Sequence, residues 1–155
     1  MVGKNEKTRY LCRSKKKPPM YPQEIVQPMR DELTAVGFKQ ISEVEKIEAE
    51  INATGTTLVV VNSVCGCAAA NARPGVRFSL DNEKVPSNLV TVFAGVDREA
   101  TDAARALMVP FPPSSPSMAL FKDGELVHML ERHHIEGRNA DIIAENLRAA
   151  YNEHC

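Results

Sequence analysis

Two cysteines separated by one glycine, Cys65-Gly66-Cys67, follow closely on the β-branched run Thr57-Leu58-Val59-Val60-Val61 and precede three alanines. That places them where a buried strand hands over to a helix. The first turn of a helix presents unpaired N–H groups and a partial positive charge, and both stabilise a thiolate. A cysteine there has its pKa lowered and becomes nucleophilic near neutral pH. A second cysteine two residues on can attack a mixed disulfide formed at the first. Gly66 is expected to let the backbone bend tightly enough for the sulfurs to meet. A bridge across a single residue closes a tight ring, and ring strain makes the oxidised form easier to reduce than a relaxed disulfide.

Two plainer readings compete. One is a pair of buried, inert cysteines; it fits poorly with the end of a strand in an α/β pattern, where open sheets place their sites. The other is a metal-binding or thiol-sensing module, in which two thiolates need two more ligands for tetrahedral zinc. His133-His134 offers imidazoles, but adjacent histidines diverge and lack helical i, i+4 spacing. Solvated or capping roles suit them better. Arg73 and Arg77 lie one turn apart after the cysteines and read as solvated, with a carboxylate on a small-thiol ligand as the functional alternative. Pro116, after Ser115 and just before a strand, suits a cis peptide at a sharp turn. In a thiol–disulfide enzyme, the backbone preceding such a proline pairs with extended substrate. Gly66, Ser115 and Pro116 are therefore the candidate substrate-binding residues, with Cys65 and Cys67 catalytic. Cys12 and Cys155 have no activating context and read as incidental thiols.

The elements that must position these groups follow from periodicity. Ile25, Met29, Leu33 and Val36 recur at helical spacing after Pro22, with Gly37 past the end and Pro28 as an expected kink or delayed start. Phe38–Ile41 is a short extended piece. Ser42 and Glu45 suggest a capping box before a helix with Val44, Ile47 and Ile51 inward. Thr57–Val61 and Leu89–Ala94 read as buried strands. The helix after the cysteines should bury Phe78 and Leu80 and kink at Pro74. Asp97 should cap a helix carrying Ala100, Ala104 and Leu107. Pro110, Pro112, Pro113 and Pro116 exclude regular structure. Ser117–Lys122 and Glu125–Leu130 form a hairpin about Asp123-Gly124. Asn139 caps a last helix with Ile142, Ile143, Leu147, Ala150 and Tyr151 on its apolar side. Alternating strands and helices imply parallel pairing, and the hairpin adds an antiparallel edge. The expected fold is a three-layer α/β/α sandwich with a mixed central sheet.

At 155 residues, 43% hydrophobic and 25% charged, the chain has the composition of one soluble domain. No apolar run approaches the roughly 20 residues that span a bilayer, and no secretory signal is visible. A reducing cytoplasm is the expected location, and there a close cysteine pair is more often catalytic than structural. Residues 1–19 carry seven Lys or Arg against one acid, whereas residues 20–155 hold 12 basic and 19 acidic residues, a net of −7. We read 1–19 as a flexible basic extension and 20–155 as the domain. The acidic body offers nucleic acid no second contact surface, so no nucleic-acid partner is expected, and no membrane partner either.

The stretch from Val59-Val60-Val61-Asn62-Ser63-Val64 through Cys65-Gly66-Cys67-Ala68-Ala69-Ala70 to Asn71-Ala72-Arg73-Pro74-Gly75 resembles the signature of the bacilliredoxin family of thioredoxin-like proteins. Pro112-Pro113-Ser114-Ser115-Pro116-Ser117 with Leu120–His128, and Arg132-His133-His134-Ile135-Glu136-Gly137, are similar to further blocks of that family. The resemblance runs from about Tyr21 to about Tyr151. It implies a thioredoxin fold and thiol–disulfide exchange on protein mixed disulfides with bacillithiol, a low-molecular-weight thiol. It also implies weak disulfide isomerase activity. Cys65 would be the attacking thiolate, Cys67 the partner or resolving thiol, and Pro116 the cis-proline beside them. The partners implied are bacillithiolated proteins and the free thiol, which acts as co-substrate with no other cofactor.

Overall fold

A computed structural model describes residues 18–155. Residues 1–17, with Cys12 and most of the expected basic extension, lie outside the described residues. The chain order is α1 (Gln23–Thr34), β1 (Lys39–Gln40), α2 (Val44–Ile51), β2 (Thr56–Asn62), a π-helical turn (Ala68–Ala72), α3 (Arg73–Ser79), β3 (Asn88–Phe93), α4 (Arg98–Ala106), β4 (Ser117–Lys122), β5 (Glu125–Leu130), α5 (Arg132–Ile135) and α6 (Ala140–His154). The strands lie in the order β1-β3-β2-β4-β5. β1, β3 and β2 run parallel, while β4 is antiparallel to β2 and β5 to β4. Every residue of β2 is buried, because helices cover both faces. Leu58 and Val60 join one core with residues of α1, α3 and α6. Val59 and Val61 join the other, against α2 and α4. This is the expected three-layer sandwich with a mixed sheet. The hairpin closes on Asp123 and Gly124, both at positive φ (49° and 82°), as a two-residue turn matching the strand twist requires.

Several local expectations give way to packing. α1 continues through Pro28 and buries Val26, Arg30 and Leu33. Ile25 stays exposed, because the inward stripe runs through Val26 and Arg30 to Leu33 rather than through Ile25 and Met29. α2 is capped by Glu43 without a side-chain bond, so Ser42 forms no capping box. Asp97 stands at the N-cap of α4 but makes no cap bond. Its carboxylate instead takes both Arg30 guanidinium nitrogens (3.0 and 3.2 Å), the Gln40 amide (2.6 Å) and the Phe93 N–H (2.9 Å). A buried Arg30 leaves that acid no better use. Asn139 does cap α6, accepting the Ile142 N–H at 2.9 Å. Phe78 and Ile142, expected inward, are exposed. The π turn before α3 adds one residue to the helical path and rotates the later residues about the axis, so Val76 and Ser79 face inward instead. That turn also absorbs Pro74, whose missing N–H would otherwise break an i→i−4 bond. The Arg73 N–H reaches back five residues to the Ala68 carbonyl. The short helix α5 has no counterpart among the elements expected from periodicity.

Candidate active site

At the end of β2 the chain turns sharply through Ser63, Val64 and Cys65. The Cys65 carbonyl accepts the Ala68 and Ala69 N–H groups at 3.0 and 3.3 Å. Cys65 is thus the residue at which helical bonding begins. It is joined to Cys67 by a disulfide, with the two Cα atoms 5.4 Å apart. The Cys67 N–H donates to Cys65 Sγ at 3.3 Å. A sulfur that accepts a backbone N–H at a helix start is the one whose negative charge is stabilised on reduction. Both cysteines are half-buried, and Gly66 between them is exposed. Gly66 has no positive φ, and a Cβ there would meet nothing within 4 Å. The expectation that glycine is needed for the bend is therefore wrong. What Gly66 does is leave the outer face of the disulfide bare.

Behind the cysteines stands a polar clamp. The Cys65 N–H donates to Ser63 Oγ at 3.2 Å, and the Ser63 N–H to Asn62 Oδ1 at 2.9 Å. Arg73 Nη1 donates to Asn62 Oδ1 at 3.1 Å and to the Ser63 carbonyl at 2.9 Å. Its Nε is bonded to Glu32 on α1. Asn62 Nδ2 reaches the Met29 carbonyl at 3.1 Å. Arg73 is 2% exposed, so it is neither solvated nor free to meet a ligand, against both readings of it from the sequence. It is the buried centre that ties α1, the end of β2 and the cysteine loop together. The signal available in the sequence is Asn62-Ser63: two polar residues closing a wholly apolar strand need buried partners. Arg77 is exposed.

Ser115 and Pro116 lie at the same end of the sheet, because Ser117 pairs with Val61 on β2. The Ser115–Pro116 peptide is cis, and so is Val109–Pro110. Pro116 is buried and Ser115 half-buried. Two arginines hold this loop. Arg105 of α4 donates to the Ser114 carbonyl at 3.3 Å, and burial pulls its pKa down despite nearby Asp102. Arg132 of α5 donates from Nη1 to the Ser115 carbonyl and from its backbone N–H to Ser114 Oγ, both at 3.3 Å. No sequence pattern marks either arginine.

The metal reading is not assembled. Among the described residues, the ligand atoms that come within 4.8 Å of one another belong to Glu131, His133 and His134, without either cysteine. His134 Nδ1 already accepts the Glu131 N–H at 3.1 Å, which makes Glu131 and His134 the capping box of α5. Cys155 is an exposed free thiol at the chain end.

Comparison with known proteins bears on the family and the fold. The disulphide isomerase family profile matches residues 21–155. A bacilliredoxin from Cytophaga hutchinsonii is 56% identical over 134 residues, which is 86% of this chain and 99% of its own length. A bacilliredoxin from Shouchella clausii is 54% identical over 136 residues, covering 87% of this chain and 94% of that one. Among solved structures, yeast mitochondrial thioredoxin 3 superposes with a TM-score of 0.52 at 14% identity, over 79% of this chain and 98% of its own. The thioredoxin-like domain of Arabidopsis NCP gives 0.54 at 20%, over 76% and 79%. The structural likenesses speak for the fold and the sequence likenesses for thiol–disulfide exchange. Together they make this chain a member of the bacilliredoxin family, a thiol–disulfide oxidoreductase on a thioredoxin fold.

Proposed function

We propose that the protein removes bacillithiol from cytoplasmic proteins that carry it as a mixed disulfide, with Cys65 as nucleophile. One observation carries the reading: the cysteine pair is held as a disulfide at a strand-to-helix corner, with Cys65 Sγ taking the Cys67 N–H. In the reduced protein the Cys65 thiolate attacks the bacillithiol sulfur of the mixed disulfide. The S–S bond between bacillithiol and the protein cysteine breaks, the protein thiolate leaves and takes a proton, and Cys65 now holds bacillithiol. A second bacillithiol thiolate can then attack that sulfur, releasing bacillithiol disulfide and the Cys65 thiolate. Alternatively the Cys67 thiolate attacks Cys65 Sγ, expelling bacillithiol and forming the observed bridge, which two further thiols reduce. The cycle runs on thiols alone, with bacillithiol as co-substrate and no bound cofactor. Gly66, lacking a side chain, and the Ser115-Pro116 backbone at the same sheet end leave an extended protein substrate room to approach. The family description supports a second, weaker use. Cys65 attacks a non-native protein disulfide and forms a mixed disulfide with one of its sulfurs. The freed thiolate attacks a second disulfide of the substrate, and the thiolate released there attacks the mixed disulfide, forming a new protein disulfide and expelling the Cys65 thiolate.

The test uses the full chain and a bacillithiolated test protein, read by mass spectrometry. Cys67→Ala is expected to retain substantial turnover and to accumulate a Cys65–bacillithiol adduct. Cys65→Ala is expected to abolish turnover. Full activity in Cys65→Ala, or an adduct found only on Cys67, would reverse the assignment.

A further inference from the structure

An open-mouthed cavity of about 220 Å³ lies between the end of β5, α5 and the start of α6, lined by Leu130, His134, Arg138, Ile142, Ile143 and Asn146. That is room for about seven water molecules. We propose that it is the subsite for the carboxylate end of the small thiol that Cys65 takes up, an assignment that rests on the exchange chemistry proposed above.

The lining is apolar below and donor-only above. Leu130, Ile142 and Ile143 supply the floor. His134 Nδ1 accepts the Glu131 N–H, so its Nε2 carries the proton and faces outward as a donor. Asn146 Oδ1 stands 2.7 Å from His128 Nε2, which leaves its amide NH2 to donate. Arg138 brings a planar guanidinium fork, and among the described residues it makes no ion pair. No acid lines the cavity. Three side-chain donors and no carboxylate favour an anion, and the fork matches a carboxylate.

Position ties the cavity to the cysteines. Leu130 pairs with Met118, two residues beyond Pro116, and Val61 pairs with Ser117. Leu130 therefore places one wall of the cavity at the cysteine end of the sheet. Ile143 shares its apolar cluster with Ala68 and Ala72 of the turn after Cys67, so it lies on the same face as the cysteine helix. β2 and β5 are two strand spacings apart, about 10 Å. The ligand this fits is a low-molecular-weight thiol whose carboxylate can extend at least that lateral span, roughly 10 Å, from its sulfur. Its sulfur would reside at Cys65 and its carboxylate between Arg138 and His134.

The experiment traps the adduct in the Cys67→Ala background and follows its rate of formation on Cys65 by intact mass. Two probes are used: bacillithiol disulfide, and cystamine, a disulfide without carboxylates. Arg138→Gln is expected to slow the bacillithiol reaction about tenfold, the low end for an exposed charge-assisted contact, through weaker saturation rather than a slower limiting rate. The cystamine rate is expected to be unchanged, as are both rates in Lys122→Gln, a charge removed at the far end of the sheet. Arg138→Lys is expected to recover part of the loss. If Arg138→Gln leaves the bacillithiol rate unchanged, or slows both probes alike, the subsite is overturned while the exchange reading stands. The same holds if Lys122→Gln has an equal effect. If the Cys67→Ala protein with Arg138 intact forms no bacillithiol adduct at all, the exchange reading falls and the subsite with it.

Discussion

Replacing Arg73 by Met removes the centre of the clamp behind the cysteines while keeping most of the side-chain volume. Two bonds from a charged donor are lost, to Asn62 Oδ1 and to the Ser63 carbonyl. Asn62 Oδ1 keeps the Ser63 N–H, so its loss is partial. The Ser63 carbonyl, on a residue only 8% exposed, is left without its guanidinium, which costs about 1–3 kcal/mol. Glu32, whose side chain is 41% exposed, recovers water and adds little. The sum is about 3 kcal/mol of destabilisation, the low end of the 3–5 kcal/mol typical of stranding a fully buried partner. For a domain of this size that lowers Tm by roughly 10 °C. The functional effect is separable. Ser63 Oγ holds the Cys65 N–H, and Arg73 is a buried cation bonded to that same loop. Losing the cation and its hold on the Ser63 carbonyl is expected to raise the pH at which reduced Cys65 becomes reactive, and Arg73→Lys, which keeps the charge, is expected to shift it less. Urea unfolding gives the first quantity and iodoacetamide rates against pH give the second. If Arg73→Met keeps its stability within about 0.5 kcal/mol and its alkylation profile unmoved, the clamp is not what positions Cys65.

Other substitutions separate fold from site. In Gly75→Ala the new Cβ would stand 2.7 and 2.8 Å from Ile143 side-chain atoms and 3.2 Å from the Ala140 carbonyl. About 3 kcal/mol of overpacking against about 1 gained in helix propensity leaves a net loss of about 2, and a stabilised variant would contradict the close α3–α6 contact. Gly66→Ala meets open space and is expected to unfold within about 0.5 kcal/mol of the parent, yet to turn over a bacillithiolated protein more slowly. Equal turnover would remove Gly66 from the approach face. For Glu50, burial pushes the carboxyl up, but bonds from Asn88 and Lys39 outweigh it and hold the pKa below its ordinary value. A lowered folded-state pKa stabilises above the unfolded pKa and is lost as pH falls through the folded value. Glu50→Gln should thus lower Tm by about 2 °C near pH 7 and by nothing near pH 2. An equal loss at both would show that the carboxylate charge is not responsible.

Much that depends on local pattern is legible in the sequence, though the Ser42 and Glu45 pattern before α2 forms no capping box. The continuous apolar run of β2 marks a strand covered on both faces, the Asp123-Gly124 pair marks the hairpin, and Asn139 marks the start of α6. Each is a short-range signal with one structural solution. The helix faces are less legible. A single π turn at Ala68–Ala72 displaces every later position of α3, so Phe78 faces water although its type and spacing point inward. Asp97 has the right type and place for a cap, but a buried Arg30 67 residues away claims it. Arg73 is misread for the same reason: nothing local says that Glu32, Asn62 and Ser63 will converge on it. The cysteines are legible because their chemistry depends on where they sit relative to β2, whereas the groups that hold them come from distant parts of the chain.

The most direct measurement compares the two thiols themselves. In the fully reduced protein, iodoacetamide modification of Cys65 and of Cys67 is followed separately by peptide mass spectrometry from acid to alkaline pH. The helix start and the Cys67 N–H act on Cys65 Sγ. Cys65 is therefore expected to react first, with a titration below the roughly 8.5 of a free thiol, and Cys67 later and more slowly. Equal rates at both cysteines, with a single titration at the free-thiol value, would contradict the claim that this corner of the fold exists to make Cys65 a nucleophile.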